Sequence, residues 1–258
     1  MKLSIITVCK NAEKLLVKTI ESVLAQTFTD YEYIIIDGAS TDGSLSVIDN
    51  YKDRIKIISE PDKGIYDAMN KGIGLSEGEY LLFLNAGDYF FHENVLKEIM
   101  EMNLNVDILY SNGLIEFSNG FLFCKTFPKK VTKIFMYMDT LPHQDALVKR
   151  EVFLKTRGFD SEYKIAGDYK FFLDAVFKYN CTSKYVQKMI TVNDLKGLSN
   201  QKDLRQTIKD EREKAISEHV TEFELMLLKI IKPIYFLLIK YPKYLMNLLQ
   251  SINLNIRK

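Results

Sequence analysis

Ile35-Ile36-Asp37-Gly38-Ala39-Ser40-Thr41-Asp42-Gly43 is the stretch on which the reading of this chain turns. A run of β-branched residues stops at an aspartate and gives way to a glycine-, serine- and aspartate-rich turn. That is the pattern of a buried strand delivering polar groups to one edge of a sheet. Three further runs repeat it at intervals of roughly 25 residues. Leu3 to Val8 leads to Lys10-Asn11, Arg54 to Ser59 to Glu60-Pro61-Asp62-Lys63-Gly64, and Tyr80 to Asn85 to Ala86-Gly87-Asp88. All but Arg54 to Ser59 are nearly continuous in large apolar residues, as expected of strands covered on both faces. Between the first two runs Leu15, Leu16, Ile20, Val23 and Leu24 recur at helical spacing, after an Asn11 able to cap a helix. Ser44 to Tyr51 and Ile65 to Leu75 are also helix-compatible. The alternation predicts an α/β fold, a mostly parallel sheet flanked by helices with right-handed crossovers, whose ligands bind at the carboxyl ends of the strands.

Composition agrees. The 258 residues are 47% hydrophobic and 27% charged, with 12 Gly and 5 Pro, which excludes collagenous, low-complexity and disulfide-scaffold classes. Cys9, Cys124 and Cys181 form no CxxC pair and are read as reduced thiols. Met1-Lys2 runs straight into an apolar strand, so no signal peptide is read and a cytoplasmic chain is expected. The net charge of +1 hides an asymmetry: Leu225 to Lys258 carries Lys229, Lys232, Lys240, Lys243, Arg257 and Lys258 and no acid.

Asp37, Asp42, Glu60, Asp62 and Asp88 would share one rim of the sheet. Such a concentration of charge needs either a hard divalent cation holding substrate phosphates or hydrogen-bond donors that make the carboxylates turn and cap residues. Both remain open from the residues alone. Dinucleotide binding is disfavoured, because Cys9-Lys10-Asn11-Ala12 has no glycine and Gly72-Ile73-Gly74 follows a helix instead of opening one. No GxxxxGK[ST] phosphate loop is present.

Four ordered blocks resemble the nucleotide-sugar-binding half of family 2 glycosyltransferases, which have the GT-A fold. They are Ser4 to Asn11, Ile35 to Gly43, Asp62 to Gly72 and Tyr80 to Asp88. The resemblance implies that Asp37 contacts the base and ribose of the donor nucleotide, that Asp42 supports its loop, and that Asp67 binds ribose or orients a neighbour. Thr7, Asn11, Lys63, Asn70 and Asn85 are implied on the donor side as well. Asp88 would carry a divalent cation, Mn²⁺ or Mg²⁺, on the donor diphosphate. Asn85 and Gly87 stand where the family often has Asp, so the cation would lean on phosphate oxygens and water.

Downstream, Asp107 to Phe117 and the run through Phe123 read as a hairpin around Ser118-Asn119-Gly120. Leu141-Pro142-His143-Gln144-Asp145 also fits the family, with His143 available to the diphosphate or acceptor, or else structural. Ala166-Gly167-Asp168-Tyr169 opens a helix, and the resemblance makes Asp168 the catalytic base of an inverting transfer. Lys196-Gly197-Leu198-Ser199 is similar to a late loop of the family that closes over the substrate.

The expected organisation is a GT-A domain over 1–204, with a nucleotide-sugar half at 1–100 and an acceptor half at 101–204, then a helical basic-apolar extension over 205–258. The apolar run from Phe223 is broken by Glu224, Lys229, Lys232 and Pro233. It reads as an interfacial helix against anionic lipid, or as a cover for protein, and not as a membrane span. The function implied is transfer of a sugar from a nucleoside diphosphate, UDP for preference, to a saccharide or polyprenyl-diphosphate-linked saccharide in surface polysaccharide synthesis. No nucleic-acid partner is expected. The alternative is a non-catalytic nucleotide-sugar-binding or assembly subunit that keeps the fold.

Overall fold

The computed structural model describes residues 1–102, 105–117, 119–194 and 202–235. The chain divides into two compact units, Met1–Ala215 and Ile216–Lys258. In the first unit, β1 (Leu3–Cys9), α1 (Glu13–Leu24), β2 (Tyr31–Asp37), α2 (Ser44–Asp49), β3 (Lys56–Ser59), α3 (Ile65–Leu75) and β4 (Tyr80–Phe83) form the alternating half. There follow β5 (Tyr89–Phe90), α4 (Val95–Met100), β6 (Ile108–Glu116), β7 (Leu122–Lys125), α5 (Lys133–Met138), β8 (Ala146–Lys149), α6 (Arg150–Thr156), α7 (Gly167–Leu173), β9 (Ser183–Asp194) and α8 (Arg205–Ser217), the last running across the boundary. In the second unit, α9 (Glu222–Tyr235) lies among the described residues.

β1 is buried at every position and pairs in parallel with β2 on one side and β4 on the other. β3 adds in parallel beyond β2, so the first half is an all-parallel sheet in the order β3-β2-β1-β4. The sheet then continues through antiparallel β8 to β6, β9 and β5, with β7 pairing β6 as a hairpin. β1 is therefore where successive crossovers leave in opposite directions, which opens a crevice at the strand ends.

The helices bury their apolar stripes on this sheet. Leu16, Ile20 and Val23 of α1 are wholly inaccessible, each burial stabilising by about 1.5–3 kcal/mol. α3 lies close to β1 because residue 72 is glycine: a Cβ there would stand 2.5 Å from Ile6 Cγ2. On the same face as α3, Phe83 of β4, Phe153 of α6, Phe159 and Phe171 of α7 form one ring cluster, with Phe153 and Phe171 stacked at 4.5 Å. This cluster fixes the start of α7 relative to β4.

Several boundaries differ from the sequence expectation. Lys52–Arg54 is a 3₁₀ turn and β3 begins only at Lys56; Lys56 and Ile57 are exposed because β3 is the outer strand of this half. β4 leaves strand geometry after Phe83, although Leu84 N–H still donates to the Ile6 carbonyl. Asn11 does not cap α1. It sits at φ 52° with its amide oxygen accepting from Thr41 N–H. The cap comes instead from the next crossover: Ala12 N–H donates to Ser44 Oγ and Glu13 N–H to Asp42 Oδ2. Lys196-Gly197-Leu198-Ser199 and the basic residues beyond 235 lie outside the described residues.

Candidate active site

A cleft of about 770 Å³ opens at the carboxyl end of β1 and runs past the loop after β4 to the start of α7. Of the residues expected at the site, it brings together Asn11, Asn85, Asp88, His143 and Asp168. Thr7, Asp37, Asp42, Lys63, Asp67 and Asn70 do not line it.

Each of the latter has an identifiable task in the fold. Thr7 is fully buried and its hydroxyl donates to the Leu84 carbonyl, tying β1 to the loop that holds Asp88. Asp37 is fully buried as well. Its carboxylate accepts from Ser40 N–H, Ser40 Oγ and Ser59 Oγ, clamping the turn after β2 to the end of β3. Asp42 accepts from Ser44 and Glu13, which depresses its carboxyl below the usual value, the Ser44 hydroxyl being the main cause. Asp62 accepts from Gly64 N–H, while Glu60 pairs with Lys71 at 2.9 Å. Asp67 accepts from Lys63 N–H and lies 3.7 Å from Lys71 Nζ; the Lys63 side chain is exposed. Asn70 uses both ends of its amide on the backbone of Phe159, donating to its carbonyl and accepting from its N–H. Of the two alternatives left open for this rim, protein donors and a lysine meet Asp37, Asp42, Glu60 and Asp62, and Asp88 alone of the five lines the cleft.

Asp88 is held from three sides. Thr19 Oγ1 donates to its carbonyl and accepts Gly87 N–H, and Asp88 Oδ1 accepts Asp194 N–H from the end of β9. Its carboxyl, 5% exposed, is pushed up to about 7, chiefly by burial and further by Asp145 and Asp194. Gly87 has φ +103°, and a Cβ there would lie 3.4 Å from the Asp194 side chain. The aspartate expected at 87 by resemblance is absent from a position whose backbone disfavours any L side chain.

Asp168 stands in the first turn of α7. Oδ2 meets His143 Nδ1 at 2.9 Å, and Oδ1 accepts Tyr169 N–H and lies 3.2 Å from the Tyr66 hydroxyl. Burial works to raise its pKa, but the His143 hydrogen bond and charge outweigh it and the net shift is downward. His143 shifts the opposite way: burial would lower it, and the bond to Asp168, with Asp88 and Asp145 nearby, raises it. Its Nε2 faces Asn85 Nδ2 at 3.1 Å. Both ring nitrogens of His143 are thus engaged within the protein. The result is a chain, Asn85 to His143 to Asp168, in which Asn85 Oδ1 is buried without a partner among the described residues.

Sequence reading missed several residues here. Tyr66 sits inside a quoted block but pointed to nothing by type. Asp145, an acid entering an apolar strand, was the available signal. It is wholly buried, accepts from Thr191 and Asn193, and is pushed up to about 7 by burial.

A divalent cation fits this donor set in part. Asp88 is a hard oxygen ligand whose buried charge lacks a compensating cation, and Asp194 adjoins it. Among the described residues no group of three or more metal-ligating side chains is formed, so substrate phosphate oxygens would have to complete the shell.

Comparison with known proteins agrees with this geometry. Residues 4–125 match the model of glycosyl transferase family 2. An uncharacterized glycosyltransferase of Mycobacterium tuberculosis is 30% identical over 177 residues, covering 67% of this chain and 68% of the relative. The fold is that of S. aureus TarS 1–349 in its complex with UDP-GlcNAc, with a TM-score of 0.69, 18% identity and coverage of 92% of this chain and 73% of that one. It is also that of the mannosyltransferase PcManGT from Pyrobaculum calidifontis in complex with GDP-Man and Mn²⁺, with a TM-score of 0.60, 12% identity and coverage of 94% and 82%. With a GT-A scaffold, a buried acid at the cleft's centre and a positioned carboxylate at its wall, the chain belongs to glycosyl transferase family 2 and is a glycosyltransferase.

Proposed function

We propose that the enzyme transfers a sugar, with inversion, from a UDP-sugar to a saccharide or polyprenyl-diphosphate-linked saccharide acceptor on the cytoplasmic face of a membrane. The observation that carries the reading is Asp168, held in the same cleft as Asp88 by His143, Tyr66 and its own helix backbone.

In this reading the acceptor hydroxyl gives its proton to Asp168 as its oxygen attacks the anomeric carbon. The bond from that carbon to the diphosphate breaks, its electron pair leaving with the nucleoside diphosphate, and the configuration at carbon inverts. His143 keeps the carboxylate ionised and fixes which oxygen it presents; Asn85 in turn fixes the imidazole. Asp88, with Asp194 beside it, would hold Mn²⁺ or Mg²⁺, which would supply charge against the departing diphosphate. Asn11 remains at the cleft edge for the donor, whereas Thr7, Asp37, Asp42 and Asn70 support it by shaping the loops around it.

The test is binding and turnover together. Thermal unfolding with UDP, GDP, dTDP and CMP, with and without Mn²⁺, should give a metal-dependent stabilisation by UDP that Asp88→Ala abolishes. Asp168→Asn should still bind UDP yet lose transfer from UDP-sugars. Turnover retained in Asp168→Asn would remove the base from this account. Binding without turnover across a broad panel of donors and acceptors would favour a non-catalytic subunit.

For the second unit we propose contact with anionic lipid. α9 exposes Phe223, Met226, Leu227, Ile230 and Ile231 on a helix that also carries Lys229 and Lys232, and among the described residues no helix is long and apolar enough to cross a membrane. Co-sedimentation with phosphatidylglycerol vesicles but not with phosphatidylcholine vesicles is expected. Equal behaviour towards the two would count against it.

A further inference from the structure

Arg212 has no counterpart among the motifs read from the sequence. Its place is set by the residue before it. The Glu211 carboxylate accepts backbone N–H groups of Lys164 (2.7 Å), Ile165 (3.0 Å) and Ala166 (2.8 Å), tethering α8 to the segment that enters α7. One residue on, the Arg212 guanidinium carbon lies 4.2 Å from the centroid of the Tyr169 ring, next in sequence to Asp168. Arg212 lines the cleft together with Lys164 and Ile208. Its Nε and Nη2 are buried, and neither has a hydrogen-bond partner among the described residues.

A buried guanidinium is tolerated when its donors are used, because an ionised donor stripped of water and left unpaired is among the costliest groups in a fold. Nε and Nη2 form one edge of the fork, the edge that engages two oxygens of an oxyanion side by side. Stacking on Tyr169 fixes the plane of the fork. The glycosyltransferase reading brings phosphate into this cleft from two directions, the donor diphosphate and the diphosphate of a lipid-linked acceptor.

We propose that Arg212 is an anion-binding residue of the cleft whose Nε and Nη2 take oxygens of a phosphate or diphosphate group. The anion site itself stands on the geometry of Arg212; only the source of its phosphate rests on the proposed function.

The test uses Arg212→Met, which keeps an unbranched apolar stem against Tyr169 but removes the donors, and Arg212→Lys, which keeps the charge without the fork. Folding of each is checked first by circular dichroism and melting temperature. Inorganic pyrophosphate is the primary probe, since it needs no nucleotide site. Wild type should bind it, Arg212→Met should lose at least about tenfold in affinity, and Arg212→Lys should fall between. UDP and uridine then separate the sources. A tenfold loss for UDP with uridine unchanged assigns the donor diphosphate. Unchanged UDP affinity, with lost competition by farnesyl diphosphate, assigns the acceptor. Pyrophosphate and UDP binding equally tight in wild type and in folded Arg212→Met would overturn the proposal, as would failure of wild type to bind pyrophosphate. Failure of every nucleoside diphosphate while pyrophosphate still binds through Arg212 would instead sink the donor reading and leave the anion site standing.

Discussion

The turn after β2 and the wall around Asp168 treat their carboxylates in opposite ways. Asp37 is buried under donors supplied by Ser40 and Ser59, and nothing of it faces the cleft. Asp168 is also mostly buried, at 18% side-chain exposure, with His143 and Tyr66 as its partners, but it lines the cleft. The first arrangement is closed on itself, so it builds a rigid turn. The second stands beside polar atoms, Asn85 Oδ1 and Arg212 Nε and Nη2, that have no partner among the described residues, which is where a ligand has something to add. On the proposed function, an acid of the same type is scaffold where its donors close it off and reactive group where it also lines the cleft.

Substitutions that should affect one region and spare the other sharpen the contrast. The largest effect is expected from Asp168→Asn: kcat should drop by about 10²–10⁴-fold, the usual contribution of a general base, with UDP affinity close to wild type and a loss of stability far smaller than the loss of kcat. Asp37→Ala should reverse that pattern. Ser40 and Ser59 lose their acceptor, so urea unfolding should show about 1–3 kcal/mol of lost stability, and the activity per folded molecule should change far less. A larger loss of kcat than of stability in Asp37→Ala would erase the distinction.

His143→Gln tests the hold of the imidazole on Asp168. His143 holds the Asp168 carboxyl below its ordinary value against the effect of burial, so without it that pKa rises. The acid limb of the kcat profile should therefore move to higher pH, with activity approaching wild type in alkaline buffer. An unmoved limb would mean that His143 serves only as packing. The same linkage gives stability a sign: the contribution from the depressed Asp168 carboxyl is present above its unfolded pKa and is lost as pH falls through the lower folded value. The smallest effect belongs to Lys63→Ala. The side chain is exposed and only its backbone N–H is used, so stability should stay within about 0.5 kcal/mol and UDP binding should hold.

Much of the first half was legible because its signals are local. Apolar runs ending in polar turns, three of the four nearly continuous, marked the parallel strands, and Ile65 to Leu75 is a helix with those bounds. Asn11 was misread as a cap because the true caps, Asp42 and Ser44, arrive from the next crossover, a pairing that spacing along the chain does not reveal. Of the proposed site, Asp88 and Asp168 could be named by resemblance. What they bond to could not. Tyr66, Asp145, Asp194 and Arg212 reach the cleft from segments far apart in sequence, and a lone Tyr, Asp or Arg in an amphipathic stretch looks like any surface residue until the chain is folded.

The position of β9 has a consequence for how the molecule is made. It lies between β6 and β5, both of which precede it in the chain by many residues, and its far end supplies the N–H groups that hold Asp145 and Asp88. A nascent chain released only as far as Thr182 therefore has two strand edges waiting for a partner and two buried acids without their donors. Such late, long-range pairing is slow compared with local helix formation, and open edges invite pairing with other chains. Assembly of the cleft and closure of the sheet are one event, completed late in synthesis, so a ribosome that stalls before Ser183 leaves behind a product prone to aggregation as well as inactive.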